Sequence, residues 1–187
     1  HGVTALGEIA QPEWPRALLE EARTDIALFL ELIAPTAERA EAALAMAHQH
    51  LSAAGNATRW TAGLSPHAPY SVRWEVIAEV AALSAKTRAP VAMHLAESRE
   101  ELELLRSGSG PLRDFLEMLG AWDPSAWVEK RRPLDYLRLL AVAHRSLVVH
   151  GNYLNDEEIA FLGRHRDRMA VAYCPRTHAW FQHDPHP

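Results

Sequence analysis

Short runs of β-branched and other apolar residues alternate along the chain with longer segments in which apolar positions recur every three or four residues. The first pattern is typical of β-strands and the second of amphipathic helices, so the chain has a βα rhythm. No sequence repeat or low-complexity tract interrupts this rhythm. The predicted strands are Val3–Ile9, Ile26–Ile33, Trp60–Leu64, Pro90–Leu95, Ser146–His150 and Met169–Tyr173.

Helices are predicted between the strands, and several of them carry start signals. Ser98 with Glu101, and Asn155 with Glu158, have the spacing of a capping box, in which the fourth residue reaches back to the cap residue. Two helices should therefore begin just after His94 and His150. The predicted helical segments are 35–55, 71–87, 98–110, 111–120 and 155–165, with a further helix starting at Pro133 inside the long connection 107–145.

The predicted strands are apolar along nearly their whole length, as in "SLVVH" (146–150) and "MAVAY" (169–173). Strands that are covered on one face alternate between apolar and polar residues, whereas continuous apolar runs indicate burial on both faces. This pattern predicts a parallel sheet wrapped by helices, in the α/β class. A doubly wound sheet and a (β/α) barrel both satisfy it.

Composition narrows the class of protein further. With 187 residues and 48% hydrophobic content, the chain is long enough for one domain or part of one. Its net charge of -5 leaves no broad basic field, so no nucleic-acid partner is expected. The single cysteine, Cys174, excludes an internal disulfide and fits a reducing cytoplasm. No apolar run is long enough to span a membrane, and the first residues lack the pattern of a signal peptide.

Histidines mark the ends of four successive predicted strands. In parallel α/β folds, side chains from several strands converge only where strands end and loops begin. One histidine at such a position is explained by a structural hydrogen bond, but four in succession indicate a metal site or a general acid-base site. The segments are "LSPHAPYS" with His67, "MHLAES" with His94 and Glu97, "VVHGN" with His150, and "YCPRTH" with Cys174 and His178.

Other residues of the same chemical types have simpler interpretations. The "HQH" at His48–His50 lies in a strongly helical run where residues two apart point to different faces, so it is interpreted as a helix-surface feature. Cys174 ends an apolar strand and is interpreted as a packed thiol rather than a nucleophile. His183, Asp184 and His186 lie in a proline-rich tail and are expected to be loop residues rather than metal ligands.

The segments "GLSPHAPYSV", "HLAESREE", "VVHGNYLNDEEI" and "CPRTHAWF", in this order, resemble the amidohydrolase superfamily. The branch most similar to the chain contains S-adenosylhomocysteine, methylthioadenosine and aminofutalosine deaminases together with chlorohydrolases. The resemblance covers nearly the whole chain. It implies a metal-dependent (β/α)8 TIM barrel and a hydrolase that acts on C–N bonds other than peptide bonds, releasing ammonia, or chloride in the chlorohydrolases, from a purine-like ring.

The resemblance also implies roles for individual residues. His94 would be a metal ligand, and Glu97 would be the carboxylate that transfers a proton from the attacking water to the substrate. His150 would hydrogen-bond the hydroxide and the tetrahedral intermediate. The residues expected to contact the substrate, an aminated nucleoside or related heterocycle, are His67, Arg176 and His178.

The expected cofactor is one divalent metal ion. Binuclear members of the superfamily bridge two metals with a carboxylated lysine at the end of the fourth strand, and the corresponding segment here, Trp60–Tyr70, contains no lysine. A mononuclear site is therefore implied. Zinc is the default metal, while iron and manganese would satisfy similar ligands.

Two family features are not visible in the chain: the His-x-His of the first strand and the aspartate of the eighth. Residues 1–187 are therefore expected to form a single partial catalytic barrel domain of about six βα units, the second to the seventh. One alternative is a catalytically inactive truncated barrel, with activity only in a longer parent protein. A doubly wound small-molecule binding domain is disfavoured because no Gly-rich phosphate loop follows a strand. The exact substrate and the oligomeric state, including a homo-oligomer, stay open.

Overall fold

The computed structural model describes residues 2–15, 19, 22–54 and 60–187. All six predicted strands are present in the described residues, with bounds that differ from the predicted ones by a residue or two. The strands are β1 (Ala5–Ala10), β2 (Asp25–Leu32), β3 (Trp60–Pro66), β4 (Val91–Leu95), β5 (Ser146–His150) and β6 (Met169–Ala172).

Each predicted helical segment contains a helix, although the predicted end of the first, at Gly55, lies outside the described residues. A short helix after β6 and a 3-10 helix at Pro124–Trp127 were not predicted. Within the described ranges, no helix has the length and hydropathy that crossing a bilayer requires. The helices are α1 (Ala37–Ala53), α2 (Trp74–Thr87), α3 (Arg99–Ser107), α4 (Pro111–Met118), α5 (Pro133–Leu140), α6 (Asp156–Arg164) and α7 (Pro175–Trp180).

The two predicted capping boxes differ in outcome. At the start of α6, both bonds form: the Glu158 backbone N–H donates to the Asn155 side chain at 3.1 Å, and the Asn155 N–H donates to the Glu158 carboxylate at 2.8 Å. At the start of α3, only the first half forms, with the Glu101 N–H donating to Ser98 Oγ at 3.2 Å. The prediction for the Glu101 carboxylate was wrong, because this group accepts hydrogen bonds from the preceding turn instead.

The sheet is wholly parallel, and its strands lie side by side in chain order from β1 to β6. A doubly wound sheet reverses its strand order at a switch point. Here every crossover steps in the same direction, so right-handed connections place the helices on one face of the sheet. The sheet curls as part of a (β/α) barrel, which decides between the two architectures left open by the hydrophobic pattern.

The main core lies between the sheet and its helices. Leu64, Met93 and Leu95 from the strands pack in one buried cluster with Ile77 of α2 and Leu137 of α5. Fully burying each of these side chains contributes about 1.5–3 kcal/mol. This layer holds the carboxyl ends of β3, β4 and β5 in fixed positions, and the predicted histidines lie at those ends.

The opposite face of the sheet contains a close approach between β2 and β3. A Cβ atom added at Gly63 would lie 2.5 Å from Cδ1 of Phe29, a distance that real side chains do not adopt. Glycine is therefore required here so that the aromatic ring can fill the interior of the curled sheet.

The prediction that "MAVAY" is covered on both faces was wrong. Val171 is 40% exposed and Tyr173 is 46% exposed, while Met169 alone is buried in the strand. The physical reason is that β6 forms one edge of the described sheet, with a neighbouring strand on one side only. The other edge, β1, likewise exposes Leu6.

Candidate active site

His94 is the penultimate residue of β4, and a single acceptor fixes the orientation of its ring. Its backbone N–H and its Nδ1 both donate to the carbonyl oxygen of His67, at 2.9 and 2.8 Å. Because a carbonyl oxygen only accepts, Nδ1 carries the ring proton and Nε2 keeps its lone pair. A histidine held in this way presents a nitrogen that can ligate a metal ion.

His67 follows β3 and is oriented by Ser71. Nδ1 of His67 lies 2.6 Å from Ser71 Oγ, which itself donates to the Ala68 carbonyl, so Nδ1 is the donor and Nε2 is left with a lone pair. The pKa of His67 is lowered to about 4, mainly by burial and also by the nearby His94, while Glu97 opposes the shift. His67 is therefore a neutral imidazole at neutral pH, with its ring centroid 4.9 Å from that of His94.

The Glu31 carboxylate, which was not predicted as a site residue, lies close to these two histidines. The ligand atoms of Glu31, His67 and His94 lie within 4.8 Å of one another. The Gln11 amide donates a hydrogen bond to the Glu31 carboxylate. Two imidazoles and a carboxylate fit a divalent transition metal. A carboxylate near the carboxyl end of an otherwise apolar strand was the signal that could have revealed it.

Glu97 and His150 form the polar pair of the site. Oε1 of Glu97 lies 3.2 Å from Nε2 of His150, and the side chains are 26% and 8% exposed. Burial lowers the pKa of His150, Glu97 raises it, and the neighbouring His94 and His183 lower it. The ring centroids of His94 and His150 are 5.4 Å apart. The structure thus brings together four of the predicted residues, a carboxylate and three imidazoles.

The turn after β5 aims His150 at Glu97. His150 and Gly151 both have left-handed backbones, with φ of 73° and 65°. The Gly151 N–H donates to the carbonyl of Leu95 at 3.0 Å, and the Asn152 amide donates to the carbonyl of Glu97 at 2.9 Å. These bonds join the two strand ends, so the positions of Glu97 and His150 are set by one hydrogen-bonded unit.

The turn between β4 and α3 is held by a buried carboxylate. Glu101 is 1% exposed, and its two oxygens accept from the backbone N–H groups of Ala96 and Glu97, both at 2.9 Å. Ala96 has a left-handed φ of 54°, which turns both N–H groups toward the helix. Burial raises the pKa of Glu101 to about 7, against the lowering effect of the two N–H bonds. Local spacing alone did not predict this arrangement.

Arg176 and His178 lie on α7, apart from the four-residue cluster. Arg176 is exposed and makes no hydrogen bond or ion pair with another described residue. Nε2 of His178 donates to the carbonyl of Asp184 at 2.7 Å, and its ring lies 5.4 Å from that of Tyr173. No hydrogen bond between described residues joins either side chain to Glu97 or to the histidines of the cluster.

The proline-rich tail lies against the site. Nε2 of His186 donates to the carbonyl of His150 at 3.0 Å, and His183 shares a hydrogen bond of 3.0 Å with the Tyr153 hydroxyl. A cavity of about 530 Å³ is lined by the segment 181–184, Glu97 and the start of α3, and an ion pair between Arg99 and Asp184 joins the segment to the helix. The tail residues are loop residues, as predicted, and they also form one wall beside Glu97.

Three further residues, His48, His50 and Cys174, were interpreted from the sequence as structural rather than functional. His50 is buried rather than on the helix surface, and its Nε2 lies 3.1 Å from the carbonyl of Leu28, so this part of the "HQH" interpretation was wrong. His48 is exposed on the other side of α1. Cys174 is half-buried, with Sγ 3.7 Å from the carbonyl of Ala172, as a packed thiol requires.

The sequential parallel sheet, with histidines and a carboxylate at its strand ends, has the architecture of part of a (β/α) barrel with a polar site at the carboxyl ends of its strands. The comparison with known families agrees: residues 1–183 match the amidohydrolase family, so the chain belongs to that family.

Individual relatives support the same placement. The chain is 32% identical to the aminodeoxyfutalosine deaminase of Deinococcus radiodurans, over 94% of this chain and 44% of that protein. The aminofutalosine deaminase of Helicobacter pylori has the same fold, with a TM-score of 0.76 and 23% identity over 93% of this chain and 43% of the other. A zinc-bound adenosine deaminase from Xanthomonas campestris gives a TM-score of 0.65 and 21% identity, over 95% and 37%. The chain spans less than half the length of each.

Proposed function

We propose that this chain carries the acid-base centre of a metal-dependent hydrolase that removes an amino group from the ring of a nucleoside-like substrate. The observation that carries the proposal is the Glu97–His150 pair, 3.2 Å apart, beside His94 with its free Nε2. A deaminase relative at 32% identity supports the choice of reaction. The superfamily's metal dependence and the zinc in a structural neighbour support the choice of cofactor.

The metal would be held through Nε2 of His94. The Glu31 carboxylate, within 4.8 Å of the His94 ligand nitrogen, would be a second donor, and zinc is the proposed metal, with iron and manganese as alternatives. When bound, such an ion supplies the Lewis acidity that lets water lose a proton near neutral pH. Family members use further ligands from their first and eighth strands, which we propose lie outside these 187 residues.

The chain's own side chains would move the protons. The Glu97 carboxylate would accept a proton from the attacking water and deliver it to the ring nitrogen. It would then take the second proton from the added hydroxyl group and deliver it to the amino group, which departs as ammonia. The N–H at Nε2 of His150 would hold the negative oxygen that develops as water adds to the ring. This role requires the ring proton on Nε2, which the Glu97 carboxylate favours by accepting from it at 3.2 Å.

Three residues around the cluster are proposed to contact the substrate. Neutral His67, oriented by Ser71, would hydrogen-bond the substrate through Nε2. Arg176 and His178, on α7 above the end of β6, would contact the part of the substrate beyond the ring. The substrate class is an aminated nucleoside or related heterocycle, in accordance with the name of the relative from Deinococcus radiodurans.

We also propose that residues 1–187 form the second to seventh βα units of a longer barrel. Coverage of only 44% of the curated relative supports this, as do the exposed apolar residues on both edge strands. Exposed edges of this kind would be covered by the remaining strands or by a second copy of the protein. A cytoplasmic location is proposed from the single, unpaired Cys174.

Ammonia release tests the proposal. The full-length protein, loaded with zinc, is incubated with aminodeoxyfutalosine, 5′-methylthioadenosine, S-adenosylhomocysteine and adenosine, and with a chlorinated purine for chloride release. Turnover of an aminated compound that stops on chelation and returns with zinc supports the proposal. Stoichiometric metal without turnover of any compound would refute deamination, and a protein that retains no metal would favour an inactive barrel.

A further inference from the structure

We propose that Glu101 is a positioning residue that holds the Glu97 carboxylate against His150. The inference rests on the proposed function, since it concerns the residue assigned the proton transfer there. Glu101 is the last residue of the segment "HLAESREE" and has no role in the proposed reaction, and its spacing from Ser98 predicted a different partner for its carboxylate. Its two carboxylate oxygens instead bind consecutive backbone N–H groups on either side of the Ala96 Cα, at 2.9 Å each.

This two-point attachment fixes the backbone from which the Glu97 side chain extends. The φ of Ala96 is 54°, a left-handed conformation that is unfavourable for alanine because its Cβ approaches the following carbonyl oxygen. The two hydrogen bonds that the Glu101 carboxyl group accepts from the turn offset this cost. Without the carboxylate, the turn can relax toward an ordinary backbone and carry Glu97 away from His150.

The main chain of Glu97 is held from both sides. Its N–H donates to Glu101, and its carbonyl accepts from the Asn152 amide, which is itself 3% exposed. The side chain of Glu97 makes one described contact of this kind, the 3.2 Å approach to His150. The direction of the Glu97 side chain is therefore set by its backbone. The two hydrogen bonds to Glu101 of α3 hold one side of that backbone, and Asn152 holds the other.

Burying the Glu101 carboxylate costs free energy, because the group loses its hydration. Glu101 is 1% exposed and no ion pair joins it to a cation in the described part of the chain, so only the two N–H groups compensate for its lost hydration. An apolar residue at this position of α3 would avoid the cost of burying a carboxylate but would leave the two backbone N–H groups of the turn without an acceptor. The Glu101 carboxylate therefore supports the geometry of the turn between β4 and α3 rather than the stability of the helix.

The test compares Glu101→Gln with Glu158→Gln in the full-length, zinc-loaded protein. Glu158 is a matched control, since it is also buried and also accepts from two backbone N–H groups, those of Asn155 and Leu134. A glutamine keeps the shape but presents an NH2 group to one of the two donors, so one bond is lost in each variant. In Glu101→Asp, the side chain is too short to reach both N–H groups, so this variant should lose activity although it keeps the carboxylate.

Glu101→Gln should lower kcat about 10- to 100-fold per folded molecule, as expected for a misplaced catalytic group, with KM and metal content unchanged. Glu158→Gln should lose similar stability and keep wild-type kcat. A second readout is independent of turnover: the nuclear Overhauser contact between the Glu97 side chain and the His150 ring should disappear in Glu101→Gln and persist in Glu158→Gln.

Equal kcat in Glu101→Gln and Glu158→Gln, or an unchanged Glu97–His150 contact in Glu101→Gln, would overturn the proposal. If the wild-type protein deaminates none of the substrates, the proposed function fails, and the Overhauser contact still decides the role of Glu101.

Discussion

The Glu97→Gln variant separates catalysis from stability at this site. Glutamine has the same shape as glutamate, and its amide oxygen can still accept from Nε2 of His150, 3.2 Å from the native carboxylate. The lost charge should cost about 1 kcal/mol of stability, because the Glu97 side chain is 26% exposed and a neutral hydrogen bond remains. The melting temperature should therefore fall by no more than about 4 °C.

The effect on turnover should be far larger, because an amide cannot accept the proton of the attacking water. General acid-base catalysis contributes about 100- to 10,000-fold, so kcat of Glu97→Gln should fall by that factor. Since His94 is untouched, the metal content should equal that of the wild type. The control is Glu117→Gln, which removes an exposed carboxylate 2.8 Å from Arg113 on α4 and should leave turnover unchanged.

The assay is steady-state ammonia release from an aminated nucleoside that the wild type converts, with metal measured by elemental analysis on the same samples. A Glu97→Gln enzyme with bound metal and kcat within about three-fold of the wild type would refute the assignment of Glu97 as the proton carrier.

Three further predictions concern other parts of the molecule. Gly63→Ala should lower the free energy of unfolding by about 1–3 kcal/mol in denaturant titration, because its Cβ would lie 2.5 Å from an aromatic ring, whereas Gly7→Ala, with 3.4 Å to the same ring, should cost less. Ser71→Ala removes the acceptor that orients His67 and should raise KM more than it lowers kcat; an unchanged KM would contradict a substrate contact there. Glu101 has a pKa raised from 4.5 to about 7, so the folded state binds the extra proton, and its contribution to stability should fall by at most about 3 kcal/mol as pH rises between those values. Urea titrations at several pH values in this range should show that the free energy of unfolding of the wild type falls as pH rises, and that this fall is smaller in Glu101→Gln.

The local parts of the fold could be predicted from the sequence because they depend on neighbouring residues. Apolar runs located the strands, and the spacing of Asn155 and Glu158 gave the start of α6. His67, His94, Glu97 and His150 could be grouped before the structure was known, since the carboxyl ends of parallel strands converge whatever the details of the loops. The strand order, by contrast, depends on contacts distant in sequence, and the pattern left two architectures open.

The errors came from tertiary context. Glu101 bonds to the turn before its helix because Ala96 adopts a left-handed φ that no local signal specified. His50 is buried because Leu28 on β2 offers it a carbonyl oxygen. Glu31 escaped notice because a single carboxylate in an apolar strand belongs to no motif, and its proximity to His67 arises only from the pairing of neighbouring strands.

The proposed single-metal hydrolase is tested by measuring ammonia release as zinc is titrated into the metal-free, full-length protein. Activity should rise linearly and stop rising at one equivalent of zinc per chain, and His94→Ala should neither retain the metal nor gain activity. Ammonia release that is independent of added metal, or that survives in His94→Ala, would contradict it.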